Sequence, residues 1–446
     1  MTTLSNHPQT QQQSSATPTY ILRGHASPIH ALHLFANNLR LISGDAEGWI
    51  IIWDMVSKRP VVSWKAHGGA VLEAKGFEFG GNGTVVYTHG RDHKLRVWRF
   101  GVKDEGFLDK TLPVDVKEGE TAQNQPWMLH SLPVNALNFC AFDMIFLEAL
   151  HPGSDEKEDT QASPDSASQA PVLFAVPNAL NSGAIDIFHL PLERRVSTVP
   201  ADPIMNTGMV MAVRLLLSSS GELYAASAYE DGQVMAFVRR GRLTEQEITS
   251  SASGKGTAWK WEKLYASKPH TQPVLSIDVA PSKDYFFSSS ADSVLVKHPI
   301  PNASLVGVGH AEEKALKTIS TKHSGQQGLR IRSDGKIFAT AGWDARTRVY
   351  SCKTMKELAV LKWHKDGCYA VAFAEVLEES STANDSSTAD AESEARKDGD
   401  EKETQLTKRN EGSLATVQHQ RNQKAQKTHW LAAGSKDGKI SLWDIY

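Results

Sequence analysis

The sequence predicts an all-β fold, a closed ring of seven four-stranded sheets, and three observations carry that prediction. One pattern is written twice between Tyr20 and Phe100. Ile21-Leu22-Arg23-Gly24-His25 leads to Ile50-Ile51-Ile52-Trp53-Asp54, and Trp64-Lys65-Ala66-His67 leads to Lys94-Leu95-Arg96-Val97-Trp98-Arg99. Each copy gives an apolar segment, a His, a strand, a turn and a strand ending in Trp. At a period of about forty residues, this is the Gly-His to Trp-Asp signature of a WD40 β-propeller blade. A ruler taken from these copies then finds the degenerate units. Asp92 lies six and Thr88 ten residues before Trp98, and Glu47 and Ser43 hold those places before Trp53. The same places hold Asp231 and Ser227 before Phe237, Asp292 and Ser288 before His298, Asp344 and Thr340 before Tyr350, and Asp437 and Ala433 before Trp443. One more unit ends at Phe188 with Ser182 in the Asp position, which makes seven. The third observation is at the ends. The sequence given stops at Trp443-Asp444-Ile445-Tyr446, after a third strand, while Thr19-Tyr20-Ile21-Leu22-Arg23 alternates as a short strand with no partner of its own. An unpaired apolar edge is costly, so residues 19–23 are expected to close the ring as the outer strand of the seventh blade.

Taken in order, residues 1–18 are a Ser/Thr/Gln/Pro-rich tail expected to be disordered, and the propeller occupies 19–446. In the first unit, Ile29 to Leu34 alternates as an inner strand, Leu39 to Ser43 is the second strand and Trp49 to Trp53 the third. Turns Asp45-Ala46-Glu47-Gly48 and Gly90-Arg91-Asp92-His93 occupy equivalent places. Two insertions without apolar periodicity, 151–171 and 378–427, are expected to be disordered and to lie between the inner and second strands of their blades. The second has an acidic first part and a basic second part. Its deletion over 380–425 is expected to leave the ring folded.

Composition bounds the rest. A net charge of −3 gives no support for a nucleic-acid surface. The three cysteines, Cys140, Cys352 and Cys368, belong to no motif and fit a reducing compartment. Neither an export signal nor an apolar run of about eighteen residues is present, so a soluble intracellular protein is expected, with no membrane partner.

A His precedes most units: His25, His67, His130, His270, His323 and His364, with Asn206-Thr207-Gly208-Met209 filling the place in the fourth. A loop His, a second-strand hydroxyl, the turn Asp and the third-strand Trp can form one buried hydrogen-bonded chain, in which every polar group has a partner. By the ruler, the second unit alone has all four, His67, Thr88, Asp92 and Trp98. Recurrence from blade to blade argues for a structural chain and against a catalytic triad. No catalytic residue, metal ligand or cofactor is therefore expected. Ser253-Gly254-Lys255-Gly256-Thr257 lacks the first Gly of a phosphate loop and reads as a polar loop between blades. His30 and His33 are expected to line the channel, and the sparse basic run near Lys424 and Lys427 reads as a solvated loop. What remains is surface. Arg91, Trp343 and Arg346 lie in turns that project beside the channel, and Arg and Trp are over-represented in binding hot spots. Packing of Trp343 against a neighbouring blade is the equal alternative.

The two opening units, together with Gln125-Pro126-Trp127 to Leu132-Pro133-Val134-Asn135-Ala136-Leu137-Asn138-Phe139, Ala175-Val176-Pro177-Asn178-Ala179-Leu180 and Ile185-Asp186-Ile187-Phe188-His189-Leu190-Pro191, narrow the family. They resemble the fungal ASTRA-associated protein 1 family of WD-repeat proteins, itself similar to the animal guanine-nucleotide-binding β-subunit-like proteins. The resemblance is dense over 20–200 and returns at 337–350 and 430–444, while 240–330 rests on spacing alone. It implies a nuclear, non-enzymatic scaffold subunit of the ASTRA complex, with cytoplasmic presence left open. Its partners would be the Tel-Tti proteins, RuvB-like ATPases and a large kinase-like scaffold, in chromatin remodelling and the maturation of phosphatidylinositol-3-kinase-related kinases. The alternative is a chromatin reader that binds a histone tail at the channel mouth, which would want an acidic or aromatic cage there.

Overall fold

The computed structural model describes residues 17–79, 83–116, 124–136, 139–147, 171–252, 258–305, 311–377 and 405–445. Seven antiparallel four-stranded sheets form the propeller. From channel to rim, blade 1 is Ile29–Phe35, Arg40–Asp45, Trp49–Asp54 and Pro60–Lys65, and blade 2 is Val71–Glu78, Thr84–Gly90, Lys94–Phe100 and Trp127–Pro133. Blade 3 is Asp143–Phe146, Val172–Pro177, Ile185–Leu190 and Arg194–Val199, and blade 4 is Val210–Leu217, Leu223–Tyr229, Val234–Arg239 and Trp261–Ser267. Blade 5 is Val274–Val279, Tyr285–Ser290, Val294–Pro299 and Lys317–Ser320, and blade 6 is Gln326–Ile331, Ile337–Gly342, Arg346–Ser351 and Glu357–Lys362. Blade 7 takes Cys368–Phe373, Trp430–Ser435 and Lys439–Asp444, and Tyr20–Arg23 completes it by pairing Tyr20 with Leu442 and Arg23 with Lys439.

The core lies between blades, where β-branched and aromatic residues of facing sheets interdigitate. Phe287, Phe338 and Tyr350, for example, stack in series across blades 5 and 6, with ring centroids 4.3 and 5.1 Å apart. Turn chemistry sets the blade-to-blade spacing. Gly48 has φ +90°, and a β-carbon there would lie 2.1 Å from the His67 carbonyl oxygen, so only Gly admits the next blade.

Sheet edges are covered from within the chain. The segment joining the third and outer strands of blade 2 runs back over blade 1, where the Ser63 amide donates to the Asp109 carbonyl at 2.8 Å and the Val114 amide to the Gly24 carbonyl at 3.1 Å. The corresponding segment of blade 5 places Glu312 parallel to Tyr265 on the edge of blade 4. Helix α1 (Glu245–Ala252) packs against the outer strand of blade 3.

Three sequence expectations change. The second insertion carries helix α2 (Gln405–Lys427), contrary to the disorder expected through residue 427. Its last turn is docked: Ala425 is buried, its carbonyl accepts the Trp430 indole N–H at 3.0 Å, and Asn38 Nδ2 donates to the Gln426 carbonyl at 2.9 Å. Tertiary contacts thus supply the order that the polar composition lacks. His130 lies in the outer strand of blade 2, not in a loop leading into blade 3, and bonds Glu193 at 2.6 Å. The Ser253–Thr257 loop lies inside blade 4, between its third and outer strands, and is itself outside the described residues, as are 1–16, 148–170 and 378–404.

Candidate functional site at the channel mouth

The polar chains come first, because they hold the loops that form the mouth. In blade 2, His67 Nδ1 lies 2.9 Å from Asp92, His67 Nε2 lies 2.8 Å from Thr88 Oγ1, and the Trp98 indole donates to the same hydroxyl at 2.9 Å. Arg96 adds a 2.7 Å bond to Asp92. Burial pulls the His67 imidazole below its ordinary range, against the opposing pull of Asp92. Burial pushes the Asp92 carboxyl up, but its bonds to His67, the Gly68 amide and Arg96 hold it well below the usual carboxylate range.

Blade 2 is not the sole complete chain. In blade 1, His25 bonds Asp45 at 2.8 Å and Ser43 at 2.7 Å, and the Trp53 indole donates to Ser43 at 2.9 Å. The carboxylate is Asp45 rather than Glu47, because Asp45 also accepts the Glu47 and Trp49 amides and so caps its own turn. In blade 5, His270 bridges Asp292 and Ser288, and His298 takes the Trp position, 2.7 Å from Ser288 and 2.7 Å from the hydroxyl of Tyr265 in blade 4. An ionised Asp292 dictates the protons. His270 Nδ1–H donates to it, the Ser288 hydroxyl donates to His270 Nε2, His298 Nε2–H donates to Ser288, and Tyr265 donates to His298 Nδ1. In blade 7 the hydroxyl missing at Ala433 is supplied by its cross-strand partner Ser441, which accepts the Trp443 indole at 2.8 Å and lies 2.9 Å from His364 Nε2. Blade 6 breaks the pattern: His323 is 3.9 Å from Asp344, which the buried Arg348 engages at 2.6 Å. In blades 1, 2 and 5 the His and Asp groups are bound to one another inside the blade.

The mouth itself is built by β-bulges. Six inner strands shift register at their first residues, next to His30, Leu72, Met211, Leu275, Gln327 and Tyr369. A bulge re-aims a side chain, and all six line one cavity of about 310 Å³ at the head of the channel. Blade 3 has no such bulge and contributes Phe139 and Ala141. Sequence alternation missed the set, since a bulged residue violates the period of two; the only trace is its place four or five residues after the loop His, or in blade 4 after the Asn206-Thr207 that stands in for it.

Below the mouth, ion pairs cross the channel. Asp143 is bonded by Lys75 at 2.6 Å and lies 3.4 Å from Arg214, whose Nε reaches Asp278 at 3.1 Å. Arg330 of blade 6 spans the lumen to Glu73 of blade 2 at 2.8 Å. Burial pushes the Asp143 carboxyl up, and the Lys75 and Arg214 charges more than reverse this, leaving it below its ordinary range.

The three surface residues singled out in the sequence stand around this cavity on one face. Arg91 lines it and lies 4.2 Å over the ring of Phe139, which is 67% exposed. Trp343 is 49% exposed and donates its indole N–H to Gln327 at 2.8 Å. One edge of the indole covers Gly325, where a β-carbon would lie 2.1 Å away. Trp343 is therefore both packed and presented. Arg346 opens the third strand of blade 6 and does not line the cavity. His30 stacks on Tyr369 at 5.5 Å, while His33 sits lower and accepts the Gly76 amide at 3.2 Å. Among the described residues there is no group of three or more potential metal ligands, and no helix is long and apolar enough to cross a membrane.

Known proteins match this architecture along its length. The family model described as ASTRA-associated protein 1 matches residues 18–443. Curated proteins of that name are 63% identical over 443 residues in Aspergillus niger, covering 98% of each chain, and 60% identical in Penicillium rubens, covering 98% of this chain and 99% of that one. The Schizosaccharomyces pombe protein is 33% identical over 80% of this chain and 93% of its own. The match spans the closing strand, all seven blades and the mouth they build, so the chain belongs to the ASTRA-associated protein 1 family.

Proposed function

We propose that the protein is a non-enzymatic WD-repeat scaffold subunit of the ASTRA complex, acting in the nucleus in chromatin remodelling and in the maturation of phosphatidylinositol-3-kinase-related kinases. The observation that carries this reading is the full-length similarity to proteins named for association with ASTRA. The architecture supports it. In blades 1, 2 and 5 the recurring His, Ser/Thr and Asp groups are committed to bonds inside the blades, whereas Arg91, Phe139 and Trp343 are presented on one face. Protein subunits, namely Tel-Tti proteins, RuvB-like ATPases and a large kinase-like scaffold, are its partners in this reading, and membrane and direct nucleic-acid contacts are not required. Tagged protein purified from nuclear extract and analysed by mass spectrometry tests it. ASTRA subunits should co-purify, and R91A/W343A should retain its thermal transition while losing part of that set. Wild-type protein that retrieves none of these subunits would refute the assignment.

A further inference from the structure

We infer that the acidic segment 378–404 docks along helix α2 of the same chain, pairing its carboxylates with the cations of that helix. The inference stands apart from the scaffold reading, because it concerns what covers α2 within one molecule.

Helix α2 lacks a partner along most of its described length. Its 23 residues span about 33 Å, yet Ala425 in the last turn is the one described side chain of the helix that is buried. From Ala415 to Lys424 the side chains are exposed, apart from the half-buried Asn422. Two neutral pairs, Gln418–Asn422 at 3.1 Å and His419–Gln423 at 2.9 Å, support the turns. A helix that is polar all round is marginal in water by itself. Arg421 and Lys424 lie three residues apart on one side, where like charges repel. Among the described residues neither forms an ion pair.

The two ends of the acidic segment place it beside this helix. Asn38 Nδ2 donates to the carbonyls of both Glu375 and Gln426, at 2.8 and 2.9 Å, and Asn38 Oδ1 accepts the Glu375 amide. The chain therefore enters residue 378 next to the last turn of α2 and has to reach the first turn at Gln405. That course runs back along the helix, antiparallel to it.

Charge is matched along this course. The segment holds ten carboxylates and three cations, whereas α2 holds five cations and one carboxylate. Glu378 and Glu379 leave beside the turn that carries Lys424 and Lys427, and Asp385, Asp390, Glu392 and Glu394 follow. A tether this short sets an effective concentration on the order of millimolar, so weak pairs suffice to hold the two together. Occupied in this way, α2 is withheld from outside polyanions.

Nitroxide labels at A391C and Q420C of the full chain test the pairing, since Cys140, Cys352 and Cys368 are all buried. Pulsed electron resonance should find a short separation that lengthens on raising salt. R421E/K424E should lengthen it likewise, and adding E378K/E379K/D385K/D390K/E392K/E394K to that variant should restore it. Neutralisation by E378Q/E379Q/D385N/D390N/E392Q/E394Q should speed hydrogen exchange over 415–424 by about fivefold or more. The neutralised protein should also need more salt to leave a heparin column. A separation indifferent to salt and to charge reversal is what a bare tether gives, and would overturn the inference. So would a separation that changes only with protein concentration, which gives α2 to a second copy. A change seen only on adding heparin gives α2 to an outside polyanion and overturns it too.

Discussion

Ser441 shows how a single hydroxyl can move and keep its role. Residues 433 and 441 are directly opposed across the ladder, so either can place an oxygen between the His364 imidazole and the Trp443 indole. Ser441→Ala leaves the buried Trp443 indole N–H and the His364 Nε2 facing nothing, at a cost of about 1–3 kcal/mol. Adding Ala433→Ser to S441A should recover much of that loss in urea unfolding, and no recovery would mean that the chain does not tolerate the swap. His298 gives a pH effect of definite sign. Burial holds its imidazole well below 6.5, so the folded state binds fewer protons than the unfolded state. Its stabilising contribution is then complete above pH 6.5 and is lost as pH falls below it. His298→Gln keeps a donor for Ser288 and an acceptor for Tyr265 but cannot titrate. Its stability should fall less steeply below pH 6.5, by up to roughly 1.4 kcal/mol per pH unit. A weaker acid limb remains from His33 and His89, which burial holds at about 3.

At the scale of elements, closure depends on the Tyr20–Arg23 strand. It covers the third strand of blade 7, and Gly438 beside it, with φ +72°, leaves room for the His25 carbonyl oxygen, 2.5 Å from where a β-carbon would stand. Leu22 is buried between blades 7 and 1, and Leu112 packs on the same cluster. Removing residues 1–17 should leave the melting transition unmoved, whereas removing 1–24 should expose the edge and sharply lower solubility. A soluble, cooperative 25–446 fragment would contradict this closure. The second insertion now divides. Deleting 380–403 should be neutral in the same melting assay, but deleting 380–425 removes the docked turn around Ala425 and should destabilise the protein by about 1–3 kcal/mol. Equal stability of the two deletions would show that α2 contributes nothing.

For the whole molecule, the ion pairs of the channel join blades that lie far apart in sequence. Arg330 and Glu73 are separated by 257 positions and meet across the lumen. Arg214 stands between Asp143 and Asp278 and links blades 3, 4 and 5. Arg214→Met would strand buried carboxylates and should cost about 3 kcal/mol or more, since breaking a buried pair from one side leaves charge uncompensated. A loss below about 1 kcal/mol in denaturant unfolding would place these groups in effective contact with water.

The number of blades, the places of most second and third strands, the closing strand and the chain His67–Thr88–Asp92–Trp98 were legible in the residues alone. Each is local: a period-two alternation, a turn at fixed distance from an aromatic, or a hydroxyl and a carboxylate at set intervals on paired strands. Other features were decided only by the tertiary structure. Asp45 displaced Glu47 because it alone both caps its turn and meets His25. Tyr265 entered the blade 5 chain from a neighbouring sheet, and Ser441 from a neighbouring strand. The bulges aimed His30, Gln327 and Tyr369 into one cavity, and α2 found order by docking its last turn under Asn38. Spacing along the chain reports which residues share a face, but which residues meet across blades is set by register and by ring closure. The blades are therefore written in the sequence, while the mouth that they surround exists only in the closed ring.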